Sequence, residues 1–236
     1  MNPESDRRIF VRNMLAGIPA LAGASTLSST LHGFAGGDAN RLLVEAPAAG
    51  IDRALRELSA LYNQISERGP APSDVKLVVP PLRSLVMYRQ QSNRDIELAG
   101  AFRNLVAREG RERLSHLEPD ATLLNQGLQH YGVRAPAIVL AADSRRRGEA
   151  LDVLVKEGPG AFYEDMFGII STFEYAIENL AGPTFCDFLY EAMRVLEAMA
   201  AVMCVATVLA PIFGPECFAS SVILAIFKLL NFFAAC

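Results

Sequence analysis

Apolar positions recur at helical spacing from the first clear element onward. Ile51, Leu55, Leu58, Tyr62 and Ile65 fall on one face, while Arg53, Arg56, Glu57 and Glu67 fall elsewhere, which predicts an amphipathic helix. Gly69-Pro70-Ala71-Pro72 ends it, and Ser73 or Asp74 suits the cap of a new segment. Pro80-Pro81 is expected to open a helix rather than lie inside one, because proline lacks an N–H and its ring crowds the preceding turn. A long helical region is expected from Leu82 to about Arg108, with a break near Ser92-Asn93. Gly110, Pro119, Gly132 and Pro136 divide the next stretch into short helices. Residues 137–157 are again helical in pattern, and Gly158-Pro159-Gly160 stops them.

The clearest stripe follows. Phe162, Met166, Ile169, Ile170, Phe173, Ile177 and Leu180 lie on one side, with Glu164, Asp165, Glu174 and Glu178 on the other. No long β-branched alternation and no fixed-period repeat occurs. The expected fold is all-α: a helical bundle preceded by a signal segment and followed by an apolar, cysteine-containing helical hairpin.

After Gly182-Pro183 the pattern changes. Thr184 suits a helix cap, and no charge occurs from Ala198 to Gly214. Pro211, Gly214 and Pro215 end that run, and Phe218 to Ala235 is a second, interrupted only by Lys228. As helices these runs are roughly 25–27 Å long, slightly short of a hydrocarbon core of about 30 Å. Three readings fit such a tail: the buried centre of a globular domain, a membrane anchor, or a stapled peptide that attacks membranes. In the last, Lys228 is the contact for anionic headgroups; the alternative for Lys228 is a snorkelling or surface lysine.

The amino terminus has a different character. Arg7-Arg8-Ile9-Phe10-Val11-Arg12 precedes a weakly apolar stretch from Met14 to Ala24 that is too short to span a bilayer. It resembles a twin-arginine export signal, with Arg7, Arg8 and Phe10 in the recognition positions and Asp6 where Ser or Thr is usual. The small residues Ala22 and Ala24 suit cleavage after Ala24. The resemblance implies the Tat export machinery and signal and processing peptidases as partners, and a secreted or extracytoplasmic location. Anchorage in the cell envelope is the alternative. The parts are then a signal peptide over 1–24, a Ser-, Gly- and Ala-rich linker over 25–50, a helical region over 51–182 and the hydrophobic hairpin over 183–236.

Composition narrows the functions. With 51% hydrophobic and 20% charged residues, the 236-residue chain is not of disordered type. A net charge of −4 gives no basic surplus to neutralise phosphates, so nucleic acid is not an expected partner. His32, His116 and His130 are scattered, and no four-residue His spacing exists to hold a metal. No nucleophile elbow, phosphate loop, H-E-x-x-H or C-x-x-C motif occurs, so neither an enzyme nor a cofactor is expected. Glu174 and Glu178 stand one turn apart, a spacing that surface helices carry constantly. Arg145-Arg146-Arg147 reads as a solvated helix face, with a processing site or lipid contact as the alternative.

Cys186, Cys204, Cys217 and Cys236 all lie in the tail, an even set in a chain that looks exported. Four cysteines allow three connectivities. In an antiparallel hairpin Cys186 and Cys236 share the open end and Cys204 and Cys217 flank the turn, which favours the pairs 186–236 and 204–217. Four buried thiols are the alternative. Cys204, six residues, Pro211-Ile212-Phe213-Gly214, two residues and Cys217 are similar to the central stretch of microhalocins, the hydrophobic, cysteine-rich peptide antibiotics of haloarchaea. Their precursors share this order of parts: signal, middle region, cysteine-rich tail. The tail here has fewer cysteines. The resemblance implies a secreted bacteriocin-like precursor whose carboxyl-terminal peptide perturbs a lipid membrane and whose middle region masks it or confers immunity. The alternative is a cell-envelope helical binding protein anchored by its hairpin.

Overall fold

The computed structural model describes residues 47–119, 121–134, 138, 140–179 and 183–231, without the side chains of residues 183–186. The signal residues Arg7, Arg8, Phe10, Ala22 and Ala24 lie outside the described residues, as do Cys236 and the side chain of Cys186. Among the described residues the protein is all-α, with no strand. Its helices are α1 (Pro47–Arg68), α2 (Asp74–Gln91), α3 (Arg94–Glu109), α4 (Arg111–His116), α5 (Ala121–His130), α6 (Ser144–Glu157), α7 (Gly160–Asn179), α8 (Pro183–Leu209) and α9 (Gly214–Asn231), with a 3₁₀ turn over Pro211–Phe213.

The expected stripes are the packing faces. Leu55, Leu58, Tyr62 and Ile65 of α1 are buried, and Ile51 is half-buried. Phe162, Met166, Ile169, Ile170 and Phe173 of α7 are buried too, whereas Ile177 is exposed. α1 packs on α2, and α2 on α7. Antiparallel α8 and α9 pack on each other. α9 is covered by α1 and α5, and α8 by α6 and α7. The most apolar segment is therefore not appended to the bundle. Residues 46–236 form one compact unit, and Met199, Met203, Val222, Ile223, Leu224 and Ile226 are among its innermost side chains.

Three local expectations change. Pro80 and Pro81 lie within α2 rather than at its start. Val75, Val78 and Val79 ahead of them are buried, and that packing holds the first turns helical. The carbonyls of Lys76 and Leu77, which the prolines leave without N–H partners, belong to exposed residues open to water. Residues 47–50, expected as the end of a linker, belong to α1, which begins at Pro47, a residue suited to the first helical position; the rest of the expected linker lies outside the described residues. Among the described residues of 137–157 only Ser144–Glu157 are helical. α6 starts at Ser144, where Asp143 Oδ1 accepts from the backbone N–H of Arg146 at 2.8 Å.

The breaks follow the glycines and polar turns. Asn93 separates α2 from α3 in the left-handed conformation, φ 51°. Gly158 ends α6 at φ 76°, with its backbone against the carbonyl of Asp95; a Cβ there would lie 2.3 Å from that oxygen. α8 begins at Pro183, so Thr184 falls within its first turn.

Candidate functional site

The tail helices are joined as the hairpin pattern predicts. Ala210 turns extended, φ −154° and ψ 106°, which ends α8. Pro211 opens the 3₁₀ turn, Gly214 starts α9, and Pro215 occupies its first turn. Cys204 and Cys217 form a disulfide across this end, with Cα atoms 4.6 Å apart. Both sulfur residues are buried in an apolar cluster with Leu124, and Leu123, Leu140 and Phe218 pack around them. The expected Cys186–Cys236 pair lies outside the described residues. Both halves of the hairpin are long and apolar enough to cross a membrane by length and composition, Asp187–Leu209 and Pro211–Asn231. Their most apolar windows are 61% and 67% buried inside the protein.

One carboxylate stands between the two apolar runs, and it organises the site. Glu216 lies in the first turn of α9 and is buried. Its Oε1 accepts from Arg89 Nη1 at 3.1 Å, and its Oε2 accepts from the hydroxyl of Tyr163 at 2.7 Å. Arg94 Nε is 3.6 Å from Oε1. Arg89 is only 3% exposed and its other terminal nitrogen is ion-paired with Asp95. Its guanidinium carbon stands 4.8 Å from the centre of the Tyr163 ring. Charges from α2, α3 and α9, with a phenol from α7, thus meet behind the turn of the hairpin. Two guanidinium groups balance two carboxylates, which lowers the cost of burying any one of them.

The electrostatics follow from burial. Burial, and then the nearby Glu216 charge, lift the Tyr163 phenol well above its usual range, so it stays a hydrogen-bond donor. Burial also raises the Asp95 carboxyl, against the opposing pull of Arg89. For Arg89 itself burial works against the charge, but Tyr163, Glu216 and Asp95 outweigh it and the value rises. Arg89 Nε has no hydrogen-bond partner. The arrangement is a fixed clamp with no open nucleophile.

Other charged residues named by the sequence are placed differently. Lys228 Nζ is 2.6 Å from Glu197 Oε1, so the lysine joins α9 to α8 across the hairpin. Of the three consecutive arginines only Arg145 projects into solvent as expected; Arg146 is mostly covered and Arg147 is buried. Arg147 donates to the carbonyls of Ser115 and Ala142 and to both oxygens of Glu118, at 2.8–3.0 Å, and so pins α6 to the loop after α4. The reason is that its face of α6 meets α4 rather than water. Glu178 is ion-paired with Lys76, and the charge of Glu174 also acts on that lysine, so both carboxylates face a basic group of α2. His116 and His130 stand apart, His116 beside Ser115 and His130 against Tyr131 and Phe218. Among the described residues no group of three or more His, Cys, Asp or Glu is arranged to hold a metal.

Arg89, Asp95, Tyr163 and Glu216 did not stand out in the sequence. One signal was available: Glu216 is a lone carboxylate between two long apolar runs whose one charge is Lys228, and a buried charge needs partners. Its placement at the expected turn hid it, because a turn residue is normally hydrated.

The fold and site define an all-α protein built around a disulfide-stapled apolar hairpin whose turn is held by a buried charge cluster. No protein-family model, curated protein or solved structure matches the chain.

Proposed function

We propose that the chain is an exported, bacteriocin-like precursor. Its carboxyl-terminal hairpin, 183–236, perturbs membranes once released, and the helices of 51–182 mask it until then. The observation that carries this reading is the placement of the two most apolar helices, stapled by Cys204–Cys217, beneath amphipathic helices. A free apolar hairpin would bind the producer's own bilayer, so its burial is a physical requirement of such a precursor. The disulfide supports an oxidising compartment outside the cytoplasm, in line with the arginine-pair signal. No covalent chemistry is involved, and the lipid bilayer is the target.

The alternative, a binding protein anchored by the hairpin, needs α8 and α9 in the bilayer in the intact chain, where this fold packs them beneath other helices. The masked arrangement is therefore the better reading of this fold.

A specific protease site inserted at residues 180–182 tests it. The intact chain is expected to leave dye-loaded anionic vesicles sealed. The hairpin fragment, cut from the folded chain and extracted in acidified acetonitrile, is expected to release the dye. Sealed vesicles after addition of the oxidised fragment would overturn the reading.

A further inference from the structure

One end of the hairpin is not masked. Val208 is 63% exposed and Ile212 is 40% exposed, Pro211 is exposed, and Leu209 and Ala210 are half-buried between them. These are five consecutive apolar residues, each exposed or half-buried, at the turn and within the stretch that carries no charge from Ala198 to Gly214. Isolated exposed apolar residues are ordinary, but a consecutive run of them is not.

Two arginines of α3 close over the tip's backbone. Arg108 Nη2 donates to the carbonyl of Leu209 at 3.2 Å, and Arg94 Nη2 donates to the carbonyl of Ile212 at 3.4 Å. The backbone N–H of Ala210 donates to Ala206, and that of Phe213 to Ala210. The carbonyls of Leu209, Ala210 and Ile212 and the N–H groups of Ala210 and Phe213 are therefore partnered within the protein, which lowers the cost of drying this surface. Phe102 of α3 stacks on Phe213, ring centres 4.2 Å apart, and fixes α3 against the turn.

Arg94, Arg108 and Arg113 are each more exposed than the carboxylate they pair with. The side chains of Arg94, Arg108 and Arg113 are 37%, 58% and 62% exposed, whereas Glu109 and Glu216 beneath them are 13% and 3% exposed. What faces outward beside the apolar tip is these guanidinium groups, with the exposed carboxylate of Glu97 one turn from Arg94 on α3.

From this we infer that the turn of the hairpin, Val208–Ile212 with Arg94 and Arg108, is a docking surface for an anionic lipid bilayer, used by the intact folded chain. The occupant follows from the complementarity: apolar side chains enter the acyl boundary while guanidinium groups meet the headgroup phosphates. The inference builds on the proposed function, since it places the precursor on the membrane that its hairpin would later enter. It goes beyond that reading because it needs no cleavage.

Vesicle flotation of the full oxidised chain tests the surface, with phosphatidylcholine vesicles compared with a 1:1 mixture of phosphatidylcholine and phosphatidylglycerol. Residues 1–46 are common to every variant, so differences between variants report the tip. Wild type is expected to float with the anionic vesicles and not with the neutral ones. Val208→Asp with Ile212→Asp is expected to weaken partitioning roughly tenfold or more, since it places two carboxylates against anionic headgroups. Arg108→Gln is expected to weaken it about fivefold, the effect of one basic side chain near an anionic surface. Ile96→Asp is the control. Ile96 is exposed two residues beyond Arg94, on the opposite side of α3, and its replacement is expected to change nothing. Thermal melts confirm that each variant is folded.

Wild type that fails to float, tip variants that float like wild type, or an equal loss in Ile96→Asp would each overturn the assignment. So would a dimer abolished by Val208→Asp and Ile212→Asp without lipid binding, which would give the tip to a second copy of the chain. If the intact chain does not bind while the released fragment opens the same vesicles, the docking surface falls and the proposed function stands. Binding without leakage after release has the opposite consequence.

Discussion

Replacing Arg89 with Met tests whether the clamp behind the turn is as tightly coupled as its geometry implies. The side chain is almost wholly buried and faces two carboxylates, Asp95 and Glu216. Methionine matches much of its length but carries no charge. Removing one member of a buried ion pair costs about 3–5 kcal/mol, because the partner is left as an uncompensated charge. Glu216 keeps the Tyr163 hydroxyl and the nearby Arg94, so the lower end, about 3 kcal/mol, is expected. The double variant Arg89→Met, Glu216→Gln removes both charges, retains an acceptor for Tyr163, and should recover about 1–3 kcal/mol of that loss. The loss also depends on pH. Burial already holds the Asp95 carboxyl above its usual range, with Arg89 pulling it down. Without Arg89 it rises further. A carboxyl with a raised folded-state value destabilises the fold above that value, and the penalty fades as pH falls toward the unfolded-state range near about 4. Urea unfolding at pH 7.5 and pH 4.5 measures the difference between variant and wild type, which should narrow at the lower pH. A cost below about 1 kcal/mol, equal at both pH values, would refute the clamp.

Four further outcomes follow from the packing. Cys204→Ala with Cys217→Ala opens a loop of 13 residues' separation and should cost about 3 kcal/mol, seen as a Tm roughly 6–12 °C lower in a calorimeter. Gly127→Ala places a Cβ 2.8 Å from the Cα of Phe218, where α5 crosses α9, and should cost about 1–3 kcal/mol in urea unfolding; Gly100→Ala, whose Cβ meets only Arg103 Nη2 at 3.7 Å, should instead stabilise by about 0.5–1 kcal/mol. Asp143→Ala removes the acceptor for the Arg146 N–H at the start of α6 and should cost about 1 kcal/mol by the same measurement.

Much of the architecture was legible because it is written in local punctuation. Gly69-Pro70 ends α1, Ser92-Asn93 divides α2 from α3, and Gly158-Pro159-Gly160 divides α6 from α7, each through a backbone preference that acts within a few residues. The stripe on α7 and the turn at 211–215 were legible for the same reason. Pro80 and Pro81 were not, because their tolerance depends on valines packing against other helices and on two carbonyls reaching water. The clamp was illegible for a stronger reason: Arg89 and Glu216 are 127 positions apart, and neither has a neighbour in sequence that announces the other. Arg147 illustrates the same limit. Its run of three arginines looks solvated along the chain, and only the approach of α4 turns one of them inward.

The interleaving of hairpin and bundle has a consequence for how a mask of this kind would work. Leu124 of α5 packs on the disulfide, and α1, α5, α6 and α7 bury their stripes partly against α8 and α9. Hairpin and cover therefore stabilise each other by the same apolar area, and neither face is satisfied alone. On the proposed reading, loss of the hairpin leaves the remaining helices with an apolar trough shaped to it, and rebinding would restore the buried surface. Masking before release and recapture after it would then be one interaction used twice, with Arg89 and Tyr163 waiting for Glu216 in both. Steric fit alone would recapture any greasy helix pair. The buried charge set discriminates, because a hairpin without a carboxylate at that first turn would leave the Arg89 guanidinium without one of its two anions.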